Sequence, residues 1–113
     1  MQREEVEEVK KYKNMKILNK ANNSAELYIY GDIISGDWKW DDSDVTTNEI
    51  KEFLDSIKDA TKLDIYINSG GGSVFAGQAI YNMLKRHKAK KTVYVDGLAA
   101  SIASVIAMVG DEV

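Results

Sequence analysis

The stretch that decides the fold is Leu63-Asp64-Ile65-Tyr66-Ile67-Asn68-Ser69-Gly70-Gly71-Gly72-Ser73-Val74. Its first six residues predict a β-strand, because isoleucine and tyrosine favour extended backbone. The three glycines that follow predict a turn. A helix is then expected from about Val74 to His87, with apolar residues along one face. Strand, glycine loop and helix in this order begin a βα unit.

The regions on either side continue this alternation. Further strands are predicted at residues 15–18, 26–34 and 92–95, and further helices at 50–57 and 99–109. Thr46 and Glu49 have the spacing of a capping box at the start of the first of these helices. The order predicts an α/β domain with a largely parallel sheet and right-handed crossovers. Since ligands bind beyond the carboxyl ends of such strands, we expect the glycine loop and residues 96–101 to lie side by side.

Composition sets limits on the class of protein. The chain has 113 residues, 44% of them hydrophobic, which suits one small soluble domain. A net charge of -3 provides no field that attracts nucleic acid or an anionic membrane, so neither is expected as a partner. Cysteine is absent, which excludes disulfides and thiolate metal sites and is compatible with a reducing cytoplasm. The apolar run 98–109 is shorter than the roughly 20 residues of a membrane helix, so we expect a core helix there.

Ser101 is the candidate nucleophile. It follows Gly97-Leu98-Ala99-Ala100, a turn of small residues that would let a peptide backbone approach. A serine hydroxyl needs a base to accept its proton and donors to stabilise the oxyanion that develops. The N–H of Ile102 and the unhindered N–H groups of Gly71 and Gly72 are candidate donors. Two plainer interpretations stay open here: the glycines form only a turn, and Ser101 only caps a helix.

Other polar residues receive structural interpretations. Ser73 is expected to cap the helix after the glycine loop, and Ser104 to bond back to a carbonyl within its own helix. The basic run 85–91 and the single histidine, His87, are expected on the solvated surface, and Asp96 in a solvated turn. The aspartates near residue 42 do not follow the EF-hand pattern, so neither a metal nor a cofactor is predicted.

Several separate segments, taken in order, resemble the ClpP family of serine peptidases. They are Ile67-Asn68-Ser69-Gly70-Gly71-Gly72-Ser73-Val74, Ala76-Gly77, Ala79-Ile80-Tyr81 and Gly97-Leu98-Ala99-Ala100-Ser101. Residues 25–31, 40–45 and 81–89 also resemble the ClpP-related head-maturation proteases of tailed phages and prophages. The resemblance covers about residues 15–113, which we take as the N-terminal part of a peptidase domain. Residues 1–14 form a separate charged segment.

The resemblance implies a fold, a site and an assembly. The fold would be a crotonase-like spiral of repeated ββα units. Ser101 would be the nucleophile, with Gly72 and Ile102 as oxyanion-hole donors. Family members form homo-oligomeric rings, often two stacked heptamers, and the resemblance leaves open whether an ATP-dependent unfoldase delivers substrates. The residues expected to line an extended peptide substrate, with pairing as an added strand over Gly72–Phe75, are Gly71, Gly72, Ser73, Val74 and Phe75.

The chain departs from the family pattern in two ways. Gly70 stands where the family usually has proline, which would leave the loop more flexible before substrate binds. The family's catalytic histidine and aspartate correspond to positions beyond Val113. We therefore expect a fragment of a longer protein that is inactive as a peptidase by itself.

The functional hypothesis is a ClpP-type serine endopeptidase that trims capsid or scaffold proteins, in the bacterial cytoplasm or the phage prohead. Two alternatives remain. A crotonase-type enzyme would polarise a coenzyme A thioester with paired N–H groups and would not need Ser101. A non-catalytic prophage remnant would act only as an assembly subunit.

Overall fold

A computed structural model describes residues 15–19, 23–34 and 44–112. The predicted segment 1–14 and most of the loop expected at 35–44 lie outside the described residues. The strands are β1 (Met15–Asn19), β2 (Ser24–Ile29), β3 (Ile33–Ile34), β4 (Val45–Thr46), β5 (Lys62–Ser69) and β6 (Lys90–Ala99). The helices are α1 (Thr47–Ser56), α2 (Val74–Arg86) and α3 (Ile102–Ala107). The predicted mixed α/β class is confirmed.

Four of the strands form one sheet in the order β1-β2-β5-β6. Strands β2, β5 and β6 are parallel to one another, and β1 is antiparallel to β2. The short strands β3 and β4 pair in parallel as a separate two-stranded sheet. The parallel pairing of β2, β5 and β6 places the ends of β5 and β6 at one edge, where both lead into the candidate site.

One face of the main sheet forms the core. Alternate residues of β2 and β5 point to this face and are fully buried, because the side-chain period of a strand is two. Helices α1, α2 and α3 cover that face. The largest buried side chains from this sheet and the helices are Leu27, Ile29, Leu63, Ile65, Ile67, Ile50, Phe53, Ile80, Leu84 and Ile106.

The start of α1 confirms the predicted capping box. The Thr46 hydroxyl accepts from the Glu49 N–H at 3.1 Å, and the Glu49 carboxylate accepts from the Thr46 N–H at 3.2 Å. These bonds satisfy backbone donors that the first helical turn leaves unpaired. Ile50, Phe53 and Leu54 of α1 are buried, as their helical spacing predicts.

Two element boundaries differ from prediction. The strand expected at 26–34 is wrong as one element, because β2 ends at Ile29 and β3 pairs elsewhere. The helix expected at 99–109 is also too long, since β6 continues to Ala99 and α3 covers only Ile102–Ala107. In both places backbone groups far along the chain supply hydrogen-bond partners that local sequence does not show.

Two residues after α2, His87 and Lys91, differ from their predicted place on the solvated surface. The other basic residues of the run are exposed as predicted, namely Lys85, Arg86, Lys88 and Lys90. The His87 ring is half-buried; Nε2 lies 2.9 Å from the Ile57 carbonyl oxygen, and Nδ1 accepts from the Ala89 N–H at 3.0 Å. Lys91 is buried, and its ammonium donates to the carbonyls of His87 and Ala89. Burial lowers the Lys91 pKa. These contacts tie the ends of α1 and α2 together.

Within the described ranges, no helix combines the length and the apolar character that crossing a bilayer requires.

Candidate active site

The end of β5 fixes the glycine loop through Ser69. This side chain is buried, donates to the Gly31 carbonyl at 2.6 Å and accepts from the Gly71 N–H at 3.1 Å. The Gly71 carbonyl accepts from the Ile33 N–H at 2.9 Å. Both backbone groups of Gly71 are therefore occupied, so Gly71 is not available as an oxyanion donor.

Gly72 is left with backbone groups that face outward. It pairs in parallel with Ile33 through its neighbours: Gly71 accepts from the Ile33 N–H, and the Ser73 N–H donates to the Ile33 carbonyl at 2.8 Å. In such a pairing the N–H and carbonyl of Gly72 itself point away from Ile33. Among the described residues, the Gly72 N–H has no hydrogen-bond partner. Gly72 is exposed, so this donor is open to a ligand.

Only glycine fits at position 72. Its φ is +144°, and a Cβ there would lie 2.1 Å from the Ile33 carbonyl oxygen. The close approach that excludes a side chain is the same contact that turns the Gly72 N–H outward.

Ser101 occupies the N-cap position of α3 without acting as a cap. Its side chain makes no capping hydrogen bond, and the residue is exposed. Its backbone has φ +52° and ψ -130°, a conformation that L-residues seldom adopt. Such geometry costs on the order of 1–3 kcal/mol and persists where surrounding structure enforces it. A serine on a strained strand-to-helix turn presents its hydroxyl to solvent, as in a nucleophile elbow.

The two predicted segments lie together. A Cβ built on Gly71 would be 2.9 Å from the Ser101 Cβ and 3.5 Å from its Oγ. The Ala100 N–H donates to the Ser69 carbonyl at 3.2 Å, which joins the nucleophile turn to the loop. The expected side-by-side placement of the glycine loop and residues 96–101 is confirmed.

Ile102 follows Ser101 as the first residue of α3. The first N–H groups of a helix lack partners inside it, and among the described residues the Ile102 N–H has none. Its side chain is buried against α2, where a Cβ on Gly77 would lie 2.2 Å from Ile102 Cγ1. Gly77 therefore permits the close approach of α3 that sets the position of this N–H.

The residues after Gly72 begin a helix and carry exposed side chains. The Ser73 hydroxyl caps α2 by accepting from the Ala76 N–H at 3.1 Å, as predicted. Val74 and Phe75 lie in the first turn of α2, and their pairing with a substrate as an added strand stays a prediction. Their side chains are 60% and 89% exposed beside the glycine loop, where they present an apolar surface.

The remaining candidates lie in structural contacts. Asp96 accepts a hydrogen bond from the Tyr30 hydroxyl, and this bond raises the Tyr30 pKa. The Ser104 hydroxyl donates to the Ser101 carbonyl at 2.6 Å, which confirms the predicted back-bond. The chain's one histidine, His87, lies at the far end of α2, about 20 Å from Ser73 by helical rise. Its imidazole does not reach Ser101.

The face of the sheet opposite the core carries a row of tyrosines. Tyr28, Tyr66 and Tyr94 are in register on β2, β5 and β6 and stack with centroid separations of 4.8 and 4.9 Å. The Tyr28 hydroxyl donates to the Glu26 carboxylate at 2.7 Å. Burial and this bond raise the Tyr28 pKa to about 12.

No metal-binding group of three or more acidic, histidine or cysteine side chains occurs in the parts of the chain that the structure describes.

Sequence reasoning assigned no role in the site to three residues that build it: Ser69, Ile33 and Gly77. The role of Gly77 could have been recognised from the sequence, because a glycine on the apolar face of a helix indicates that another element packs closely there. The sequence carries no such indication for Ser69 and Ile33, since their roles depend on partners about 38 residues apart.

Comparison with known proteins places this geometry in a family. The family described as Clp protease matches residues 9–113. An ATP-dependent Clp protease proteolytic subunit of Bacteroides fragilis is 39% identical over 70 residues, which are 59% of this chain and 34% of that protein. The corresponding subunit of Ligilactobacillus salivarius is 47% identical over 58 residues, 51% of this chain and 29% of that protein.

A solved structure agrees with the sequence comparisons. A mutant of ClpP1 from Listeria monocytogenes superposes with a TM-score of 0.61 at 26% identity, covering 75% of this chain and 46% of that one. The chain spans about a third of the length of the Bacteroides and Ligilactobacillus relatives. From the family match and this shared fold, the chain belongs to the Clp protease family.

Proposed function

We propose that the full-length protein is a serine-type endopeptidase in which Ser101 is the nucleophile. One observation carries this proposal: an exposed, uncapped hydroxyl on a strained turn lies against Gly71, next to the outward N–H of Gly72. A capping serine would use its oxygen on its own helix. The Ser101 oxygen makes no such bond to α3 and has no partner among the residues that the structure describes.

The chemistry follows from the donors around Ser101. Its Oγ attacks the substrate carbonyl carbon and forms a C–O bond while a general base accepts the hydroxyl proton. The carbonyl oxygen becomes an anion that the N–H groups of Gly72 and Ile102 stabilise. Collapse breaks the C–N bond, and the protonated base gives its proton to the leaving amine. Water then hydrolyses the acyl-enzyme.

The general base is proposed to come from outside these 113 residues. Both nitrogens of His87 are engaged with backbone groups, and the ring lies a full helix length from the site. The 113-residue chain alone is therefore expected to lack peptidase activity.

The proposed substrate is a polypeptide, and the proposed setting is phage or prophage head maturation in a bacterial cell. The outward-facing N–H and carbonyl of Gly72 suit an extended backbone, while Val74 and Phe75 provide an adjoining apolar surface. Assembly into a homo-oligomeric ring, with the sites facing an internal chamber, belongs to the same proposal. The likeness of residues 25–31 and 81–89 to head-maturation proteases supports the setting.

The test uses a fluorophosphonate probe on the full-length protein, with the labelled residue identified by mass spectrometry. We expect labelling at Ser101 and complete loss of labelling and peptide cleavage in Ser101→Ala. Ser56→Ala is the matched control, because the Ser56 hydroxyl donates to the Phe53 carbonyl at the far end of α1. Labelling that persists in Ser101→Ala would contradict the proposal.

Two other results would replace the proposed peptidase function with a different one. Turnover of a coenzyme A thioester that survives Ser101→Ala would assign hydratase or isomerase chemistry to the paired N–H groups. A stable full-length assembly that neither labels nor cleaves peptides would assign a purely structural role.

A further inference from the structure

The inference concerns the junction between β5 and β6, and it rests on the proposed function. From Lys62–Lys90 to Ile67–Val95, partners on these strands are 28 positions apart, whereas Ser69 and Ala99 are 30 apart. Strand β6 thus carries two additional residues opposite Asn68. Such a bulge bends its strand and redirects the residues that follow.

The Asn68 side chain fills this bulge. Its Oδ1 accepts from the Leu98 N–H at 3.1 Å, where the shifted register leaves that donor without a strand partner. Gly97 packs directly on the same amide, since a Cβ there would lie 2.8 Å from Oδ1. The side chain of one strand therefore replaces a backbone hydrogen bond of the other.

The bulge determines the position of Ser101. After Leu98, the chain passes through Ala99, which pairs with Ser69, and Ala100, which donates to the Ser69 carbonyl. Ser101 follows at once with its positive φ. Only two residues, Ala99 and Ala100, therefore separate the Leu98 N–H that bonds to Asn68 from the nucleophile.

Adjacent residues of β5 thus hold the two halves of the site. The Ser69 hydroxyl accepts from Gly71 and fixes the loop that carries the Gly72 N–H. The Asn68 amide accepts from Leu98 and fixes the turn that carries Ser101. We propose that Asn68 is a positioning residue, which sets the nucleophile against the oxyanion donors without touching the substrate.

The experiment compares Asn68→Ala, Asn68→Asp and Asn82→Ala in the full-length protein. Aspartate keeps an acceptor oxygen at the same place, and Asn82 is an exposed asparagine on α2 that serves as the control. The measurements are kcat and KM with a fluorogenic peptide, the rate of fluorophosphonate labelling, and the thermal midpoint. Misplacing a reacting atom by about 1 Å costs roughly 100-fold in rate.

We expect Asn68→Ala to lower kcat and the labelling rate about 10- to 100-fold, with KM changed less than about threefold. Asn68→Asp should recover most of this loss, and Asn82→Ala should match the wild type. Because the Asn68 side chain is exposed near the C-terminal end of β5, each variant should fold with a similar midpoint.

Three results would overturn the inference. They are wild-type labelling in Asn68→Ala, equal losses in the alanine and aspartate variants, and unfolding of Asn68→Ala, which would make the role one of stability. If Ser101→Ala still labels, the proposed function has failed. If the probe labels Ser101 in the wild type and labels Asn68→Ala at the same rate, only this inference has failed.

Discussion

A methyl group added at Gly77 tests whether packing of α3 on α2 sets the catalytic geometry. In Gly77→Ala the new Cβ would lie 2.2 Å from Ile102 Cγ1, 3.0 Å from its Cγ2 and 3.1 Å from its Cβ. Ordinary carbon contacts are about 3.5–4.0 Å, so the two helices must separate locally by about 1.5 Å. Because three atoms of Ile102 are close, rotating the side chain alone does not relieve the contact.

The expected magnitudes follow from this separation. Overpacking in a core costs about 1–3 kcal/mol, and replacing glycine by alanine inside a helix returns about 1 kcal/mol. The net loss in the free energy of unfolding should be about 0–2 kcal/mol. Since the Ile102 N–H and Ser101 move with the start of α3, the labelling rate should fall roughly 100-fold.

The assay pairs urea unfolding with the rate of fluorophosphonate labelling in the full-length protein. Gly70→Ala is the control, because a Cβ at Gly70 meets no atom within 4 Å and φ there is outside the left-handed range. That variant should label normally and gain about 0.4–1 kcal/mol from reduced unfolded-state entropy. A labelling rate in Gly77→Ala within twofold of wild type would refute the reasoning.

Three further predictions concern the scaffold. Thr46→Ala removes the hydroxyl that accepts from the Glu49 N–H but keeps the Thr46 N–H that donates to the Glu49 carboxylate, and it should lower the free energy of unfolding by about 1 kcal/mol in urea, while Thr47→Ala should change it less. His87→Ala breaks the contacts to Ile57 and Ala89 and should cost about 1–3 kcal/mol without slowing fluorophosphonate labelling; slower labelling would contradict the structural role. The Tyr28 phenol binds its proton more tightly in the folded state. Its contribution to the free energy of unfolding should therefore be complete below pH 10 and decrease as the pH rises toward 12. Tyr28 should contribute at most about 1.4 kcal/mol per pH unit to the decline in the free energy of unfolding. The decline should be less steep in Tyr28→Phe, and an equally steep decline in that variant would contradict the prediction.

Local signals in the sequence predicted most of the scaffold correctly. Thr46 and Glu49 interact within one helical turn, and the apolar periodicity of α1 and α2 reports a buried face directly. The parallel order followed because alternating strands and helices favour one topology. For the same reason, the meeting of the glycine loop with the Ser101 turn was predictable from topology alone.

Long-range partners account for what was missed. Ala99 and Ala100 fall within the predicted helix, yet Ala99 pairs with Ser69 as part of β6, and the Ala100 N–H donates to the Ser69 carbonyl. Nothing in the glycine run itself indicates that the Gly71 N–H is occupied and the Gly72 N–H faces outward, since the contacts of Ser69 and Ile33 determine both orientations. The His87 contact with Ile57 likewise joins residues 30 positions apart.

The central claim is that the Ser101 hydroxyl and the N–H groups of Gly72 and Ile102 meet at one acyl carbon. A crystal structure of the full-length protein after reaction with a phosphonate probe measures this directly. The account predicts a bond from Ser101 Oγ to phosphorus, with one phosphonyl oxygen about 2.7–3.1 Å from both backbone nitrogens. An adduct on another residue, or a phosphonyl oxygen turned away from both nitrogens, would contradict it.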